Sequence, residues 1–454
     1  MKFLPLGGAD DIGASCYYID SAGTGIILDC GMHPRKTGAD ALPQLGRLDE
    51  LPVDAVLITH AHQDHLDALP FLVQKAPHVR IVATPQTRAL AELTLHNAAG
   101  ILQEQYADHP SIKPYTHEEI DLLVQSIEWR SYEEEFEIRG YRHYGNSPVV
   151  ASFHDAGHIL GSAGILLRHG GESLFFTGDI SLSRQKILPG CTLPRHAVDT
   201  LVLECTHGAT DSATLPLWSA EARRLAREAN RVFGNRGSVL IPVFALGKMQ
   251  EMLATVFGLM ETGAIPEVPV YTGGLGRKIS MVYDKNRFVV PVTDTDIELL
   301  EYPQESIFEI QRSDDLFRTP SIVLVSSGMV VEGTTSFTLT KRWLQQKGSA
   351  IFTVGYMDPE TPGYRLLSAR LGSMVRLTES DEPRPVLCDI VPFRFSAHGR
   401  REDLLSIVSS LMPKRVILVH GEESAVHWMG NAILEAYPDM KVHAAEIGKE
   451  IPLS

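Results

Sequence analysis

Thr59-His60-Ala61-His62-Gln63-Asp64-His65, with Leu66-Asp67 close behind, is the stretch whose reading decides the fold of this 454-residue chain. It follows the apolar run Asp54-Ala-Val-Leu-Ile-Thr59, which reads as a buried strand. Four metal-type side chains therefore leave one strand end in a single tight loop. His60 and His62, two apart, can turn their imidazoles onto one cation, while Asp64 and His65 continue round the turn towards a second. The alternative is a polar loop carrying chance histidines. Four ligands within six residues argue against it, even in a chain with 18 histidines.

The flanking runs repeat the pattern of a buried strand that ends in a ligand. Upstream, Cys16-Tyr-Tyr-Ile19 and Gly25-Ile-Ile-Leu28 read as strands, the second ending at Asp29-Cys30-Gly31. Asp29 fits either an ordinary turn acid or a carboxylate that orients a ligand histidine. Downstream, Ile81-Val82-Ala83 and Thr87 to Leu95 read as strand and helix, and Glu118 to Ile127 as a second helix. Val149-Val-Ala-Ser-Phe153 leads into His154-Asp155-Ala156-Gly157-His158, with Gly161 beyond. The glycines let the backbone fold around His158, which makes it a better ligand candidate than His154. Ser173-Leu-Phe-Phe-Thr177 runs into Gly178-Asp179, placed to bridge two cations. Leu201-Val-Leu203 ends in Glu204-Cys205-Thr206-His207.

From about residue 209 amphipathic helices alternate with short apolar strands, the pattern of a parallel α/β unit whose ligands sit at the carboxyl ends of its strands. Pro216 to Val232 reads as a helix, and Gly237-Ser-Val-Leu-Ile241 as a strand leading through Pro242-Val-Phe-Ala-Leu-Gly247 to Lys248. Lys248 at a helix start is either part of a cap or a phosphate contact. The same two readings stand for Ser327, after Ser321-Ile-Val-Leu-Val325, and for the Arg277-Lys278 pair after Gly273-Gly274. The tail returns to the first texture: Val386 to Val391 as a strand, Phe395-Ser-Ala-His398, a helix from Arg401 to Leu411, then Arg415-Val-Ile-Leu-Val419 ending in His420-Gly421-Glu422. The remaining histidines, His33, His109 and His143 among them, are expected at the surface or in caps.

With 44% hydrophobic and 21% charged residues the chain is an ordinary globular protein with room for two or three cores. No signal-like segment and no run of roughly 18 apolar residues is present, so a cytoplasmic protein without a membrane span is expected. Five scattered cysteines without C-x-x-C spacing speak against a disulfide framework or thiolate zinc site. A net charge of −15 excludes a sequence-independent nucleic-acid coat, since such binding rests on many cations, but leaves room for a phosphodiester held locally.

On these residues the chain resembles a metallo-β-lactamase-fold hydrolase of the β-CASP nuclease group along nearly its whole length. Leu6-Gly7-Gly8 through Ile12-Gly13, Leu28-Asp29-Cys30-Gly31, the H-x-H-x-D-H loop, His158 and Gly178-Asp179 match the first part. Glu204-Cys205-Thr206, Ile241 to Gly247, Phe395 to His398 and Val419-His420-Gly421-Glu422 match the β-CASP elements. The resemblance implies an α/β fold: a four-layer metallo-β-lactamase αβ/βα sandwich (1–208 and 391–454) with an inserted β-CASP α/β domain (209–390) and substrate in the cleft between. It implies one metal on His60, His62 and His158, another on Asp64, His65 and His420, and Asp179 bridging them. Two Zn²⁺ suit those ligands, with Mn²⁺ the alternative. A bridging hydroxide would attack phosphorus, and the catalytic residues would be Asp64 in the metal site, His398 as general acid and Glu204 steadying it. Lys248, Ser327, Arg277 and Lys278 are the candidate substrate contacts. The chain departs from the group's pattern where Gly399 is followed by Arg400, at Lys248, where arginine is commoner, and in Gly355-Tyr356-Met357-Asp358-Pro359-Glu360.

The expected function is metal-dependent hydrolysis of single-stranded nucleic acid, with RNA favoured over DNA by the presence of His420, and endonucleolytic cleavage. The rival readings are a DNA-directed β-CASP nuclease, a non-catalytic RNA-processing scaffold and a small-molecule metallo-hydrolase. No membrane partner is expected, and the oligomeric state, a homodimer included, is left open.

Overall fold

The apolar runs that end in His, Asp or Glu become strands of two seven-stranded sheets in the computed structural model, which describes residues 1–9, 11–105, 113–141, 147–310 and 313–453. His109 and His143 lie outside the described residues. In one sheet Lys2–Gly7, Cys16–Ser21 and Thr24–Leu28 form an antiparallel meander, continued in parallel by Ala55–Leu57, Arg80–Ala83 and Glu128–Trp129. In the other, Phe136–Ile138, Val149–Asp155, Ala163–His169 and Glu172–Phe176 are antiparallel, and Thr200–Glu204, Arg415–Val419 and Lys441–Ala444 add in parallel to the last.

Period-two alternation decides which side chains meet. Phe3, Tyr17, Ile19 and Leu28 from the first sheet and Phe153, Ile165, Phe176 and Val202 from the second fill the space between sheets. The opposite face of the second sheet carries Phe175, Leu201, Leu203 and Leu418, which pack with Leu404, Ile407 and Met429 of helices Arg401–Leu411 and Glu423–Ala436. Each such side chain, fully buried, contributes about 1.5–3 kcal/mol. The result is the αβ/βα sandwich, with parallel strands whose carboxyl ends within each sheet share one edge. His60, Asp179, Glu204 and His420 all lie at or just past such ends.

The chain divides into two units: Met1–Ser183, Gly190–Thr214 and Ala397–Ser454 in one, Arg184–Pro189 and Leu215–Ser396 in the other. The second unit is built on six parallel strands, in the order Gln304–Ser306, Val270–Thr272, Ile322–Val325, Val239–Pro242, Ala350–Val354, Asp389–Phe393. Three details differ from the sequence reading. The expected strand Val386 to Val391 begins only at Asp389, because the N–H groups of Val386 and Leu387 donate to Ser373 and Leu344 outside the sheet. The ligand loop contains a short helix, Gln63–Leu66. The segment Arg184–Pro189 joins the second unit although it lies inside the stretch expected for the first. Its backbone N–H groups explain this: those of Lys186 (2.8 Å), Ile187 (2.7 Å) and Leu188 (3.1 Å) all donate to the buried Glu251 carboxylate of helix Lys248–Glu261. Among the described residues no helix is long and apolar enough to cross a membrane.

Burial pushes the Glu251 carboxyl up to about 7, although the three backbone donors and Lys248 pull it down. The folded chain thus holds this proton more tightly than the unfolded one, and the site's contribution to stability falls as pH rises from the ordinary carboxylate range to about 7. Glu251→Ala would strand three donors and should cost about 3 kcal/mol at low pH, flatten that slope and open Arg184 and Lys186 to trypsin. Thermal unfolding across pH, with limited proteolysis, checks this.

Candidate metal centre

Asp29, just past strand Thr24–Leu28 and fully buried, organises the ligand loop. Its Oδ1 accepts the Thr59 backbone N–H (2.7 Å), and its Oδ2 accepts the Thr59 hydroxyl (2.7 Å) and lies 2.8 Å from His65 Nδ1. Of the two readings of Asp29, the orienting carboxylate is the one the geometry supports. With Nδ1–H given to Asp29, His65 Nε2 keeps its lone pair for the centre. The loop is closed from below by Cys30, whose N–H donates to the His65 carbonyl (2.9 Å), and a Cβ at Gly31 would lie 1.8 Å from the Asp64 carbonyl oxygen. Only glycine lets the backbone pass there.

Two groups of ligand-type atoms converge. In the first, His62 Nδ1 lies 3.1 Å from both His60 Nε2 and His158 Nε2, and Asp179 Oδ2 is 3.6 Å from each of those Nε2 atoms. His158 is aimed by its other nitrogen, 2.8 Å from the Ala397 carbonyl. In the second, Asp64 Oδ2 is 3.2 Å from His420 Nε2 and 3.7 Å from His65 Nε2. Asp179 Oδ1 faces this group, 3.4 Å from His65 Nε2 and 3.3 Å from His420 Nδ1. One carboxylate thus offers an oxygen to each group. Nitrogens about 2.0–2.1 Å from a tetrahedral zinc stand about 3.3–3.4 Å apart, so the spacings fit a cation at the middle of the first group. His65 Nε2 and Asp179 Oδ1 are buried without a hydrogen-bond partner, as expected of atoms that serve a cation.

The charges agree with that fit. Burial, then neighbouring imidazoles, hold His60 and His158 well below the ordinary histidine range, which keeps them neutral. Burial also opposes charge on His65 and His420, but the carboxylates of Asp179 and Asp64 prevail and raise both. Protons drawn there are those a divalent cation would displace.

A third cluster adjoins the first two. His398 Nδ1 is 3.1 Å from Glu204 Oε1 and 4.0 Å from Asp179 Oδ2. Glu204, 1% exposed, is fixed by the backbone N–H groups of Ile180 and Thr206, both at 3.0 Å. Burial disfavours charge on His398, yet the Glu204 carboxylate raises its pKa, so a protonated ring with Nδ1–H on Glu204 leaves Nε2–H to donate. The ring packs against those of His158 and His207, with centroids 4.6 and 5.9 Å away.

The candidate substrate contacts lie in the second unit, in loops or helix starts after three of its parallel strands. Arg277 and Lys278 are exposed near the start of helix Gly274–Asn286. Ser327 Oγ instead accepts the Val331 N–H (3.0 Å). Lys248 Nζ donates to the Phe395 carbonyl (2.6 Å) over the Trp218 ring, and burial pushes it down to about 8. His154 is buried beside Ser152 outside all three clusters. His33, expected at the surface or in a cap, is 3% exposed: its Nε2 meets Asp11 at 2.9 Å and its Nδ1 accepts the Arg35 and Lys36 N–H groups, as a cap does. The Thr59 hydroxyl and the Ala397 carbonyl were missed in the sequence, and for the carbonyl no residue type could have signalled it.

Comparison with known proteins adds to this geometry. Residues 9–207 match the metallo-beta-lactamase superfamily, 249–366 the Beta-Casp domain, and 383–445 the Zn-dependent metallo-hydrolase RNA specificity domain. The chain is 29% identical to an RNase J-like protein of Methanocaldococcus jannaschii, over 92% of this chain and 91% of that protein. It is 28% identical to endoribonuclease ysh1 of Schizosaccharomyces pombe, over 97% of this chain and 57% of that one. It is 26% identical to cleavage and polyadenylation specificity factor subunit 3-I of Arabidopsis thaliana, over 96% and 61%. It therefore spans little more than half the length of the two eukaryotic relatives. A crystal structure of a protein of unknown function from Enterococcus faecalis V583 shares the fold, with a TM-score of 0.62 at 15% identity over 99% of both chains.

Asp29→Asn keeps the shape but weakens the hold on His65, so it should lower metal affinity about 10–100-fold with little change in folding. Competition against a chromophoric chelator, alongside circular dichroism, measures both.

Proposed function

The chain belongs to the metallo-β-lactamase superfamily, in the branch that carries a β-CASP domain, and from that membership we propose that it is a metal-dependent endonuclease of single-stranded RNA. His60, His62 and His158 would hold one cation and Asp64, His65 and His420 the other, with Asp179 shared. Imidazole and carboxylate ligands in this number suit zinc. Cations so held supply Lewis-acid stabilisation of phosphoryl oxygens and ease deprotonation of water.

The chain's own residues then account for the proton. When the bond from phosphorus to the 3′ oxygen breaks, the departing oxygen takes the proton of His398 Nε2. Glu204 holds the ring by Nδ1 and keeps it charged until that moment. The observation that carries this reading is His398, fixed on a buried carboxylate and 4.0 Å from Asp179. A small-molecule hydrolase has no evident use for that pair, and a scaffold subunit has none for seven converging ligands. The names of the relatives, RNase J-like protein and endoribonuclease, support RNA over DNA. Arg277 and Lys278 are proposed phosphate contacts. Lys248 and Ser327, turned into their own surroundings, are proposed to shape that edge instead.

His398→Ala should keep its metals and bind RNA but lose about 10²–10⁴ in cleavage rate, the range for one proton-transfer group. A bridging 3′-phosphorothiolate, which leaves without protonation, should recover much of the loss, and Glu204→Gln should show a milder version. Loss of metal in His398→Ala, or no recovery with the activated substrate, would contradict the assignment.

A further inference from the structure

His420 follows strand Arg415–Val419, and its backbone there is left-handed, with φ +51°. A residue with a Cβ holds that conformation at a cost, and keeps it where its surroundings fix it. Two hydrogen bonds do so. The His420 N–H donates to the Gly8 carbonyl (2.9 Å), and its own carbonyl accepts the Cys205 N–H (3.2 Å). Gly8, just past strand Lys2–Gly7, is also left-handed, with φ +65°, and as a glycine it has wide backbone freedom. Tyr17 aims its carbonyl. The Tyr17 hydroxyl donates to the same oxygen at 2.6 Å, so both lone pairs of that oxygen are used. A Cβ at Gly8 would lie 2.7 Å from the hydroxyl oxygen, too close for any side chain.

Tyr17 is well placed to act as a fixed donor. It is buried in strand Cys16–Ser21, with its ring stacked on Phe3 and edge-on to Phe176. Burial above all holds the phenol well above its ordinary range, so the hydroxyl keeps its proton. The His420 imidazole, by contrast, has a weaker hold of its own. His65 gives its second nitrogen to the Asp29 carboxylate, and His158 gives its own to the Ala397 carbonyl. Nδ1 of His420 stands 3.3 Å from the Thr206 hydroxyl and 3.3 Å from Asp179 Oδ1, an oxygen it shares with His65. The place of this imidazole therefore depends more on its backbone.

We propose that Tyr17 is a positioning residue for the cation on Asp64, His65 and His420: its hydroxyl, through the Gly8 carbonyl, holds His420 in reach of that cation. The inference rests on the two-cation reading above and adds to it that a phenol behind the centre sets the affinity of one cation and not the other. His158 of the first group is aimed from Ala397 instead, so the effect falls on one site.

The test is stepwise binding of Zn²⁺ to the metal-free full chain, in competition with a chromophoric chelator. Tyr17→Phe keeps the ring and its packing. In it one ion should bind about tenfold more weakly, the low end of the range for groups that orient a ligand, and the other within about twofold of wild type. In a His420→Ala background, where the imidazole is gone, adding Tyr17→Phe should change zinc binding by less than about twofold. Gly8→Ala reaches the same carbonyl by another route, since its Cβ meets the Tyr17 hydroxyl, and should weaken the same ion. Circular dichroism of each metal-free variant shows that it is folded. Wild-type affinity for both ions in Tyr17→Phe, both ions weakened alike, or a tenfold loss that persists in His420→Ala would overturn the proposal. A wild-type chain that takes up a single ion after reconstitution would contradict the two-cation reading itself, and the proposal with it.

Discussion

The structure depends on one buried charge, the carboxylate of Asp179. An ionised carboxylate out of water costs several kcal/mol unless opposite charge or hydrogen bonds compensate it. Here the imidazoles whose pKa is raised do so, His420 and His65 beside Oδ1 and His398 beyond Oδ2, while the neutral His60 and His158 stand 3.6 Å from Oδ2. The centre is therefore neither a hydrophobic core nor an ordinary salt bridge. It is a donor set whose charges balance best around divalent cations, and the sandwich is arranged to hold it. Parallel strands bring their carboxyl ends within each sheet to one edge, and a layer of fixed groups behind them holds three of the candidate ligands: Asp29 for His65, the Ala397 carbonyl for His158, and the Gly8 carbonyl for the backbone of His420.

His398 stands in a different relation to that charge. Glu204 binds its Nδ1 at 3.1 Å and Asp179 Oδ2 lies 4.0 Å from the same nitrogen, so the ring is held charged beside the candidate metal ligands without being one of the first two sets. On the proposed reading, metal binding and proton delivery fall to separate side chains. The second unit contributes a different physics, a parallel sheet whose carboxyl edge carries the exposed Arg277 and Lys278 rather than buried ligands.

Much of this could be read from the sequence, for a physical reason. A dinuclear centre needs many ligands at strand ends, and strand ends are visible as apolar runs cut off by a polar residue. Thr59 to His65, Asp179 and His420 each show that cut. Asp29 was open between two readings because a turn acid and an orienting acid have the same sequence context, and only the contact with His65 separates them. His33 caps a turn of backbone, one of its two expected places, but its burial depends on Asp11 and on that turn, neither of which has a pattern. The membership of Arg184–Pro189 was invisible for a stronger reason: it is held by main-chain N–H groups, which every residue carries, on a glutamate 63 to 65 residues away. Lys248, at a helix start, reads as either part of a cap or a phosphate contact, and in the fold its ammonium lies over the Trp218 ring and donates to the Phe395 carbonyl.

The central claim is that seven side chains hold two cations across Asp179, and X-ray absorption at the metal edge with elemental analysis tests it most directly. The account predicts two ions per chain, nitrogen and oxygen neighbours near 2.0–2.2 Å as for zinc, and a metal–metal vector of about 3.5–4 Å. A single ion per chain after reconstitution, or two ions with no metal–metal vector, would contradict it.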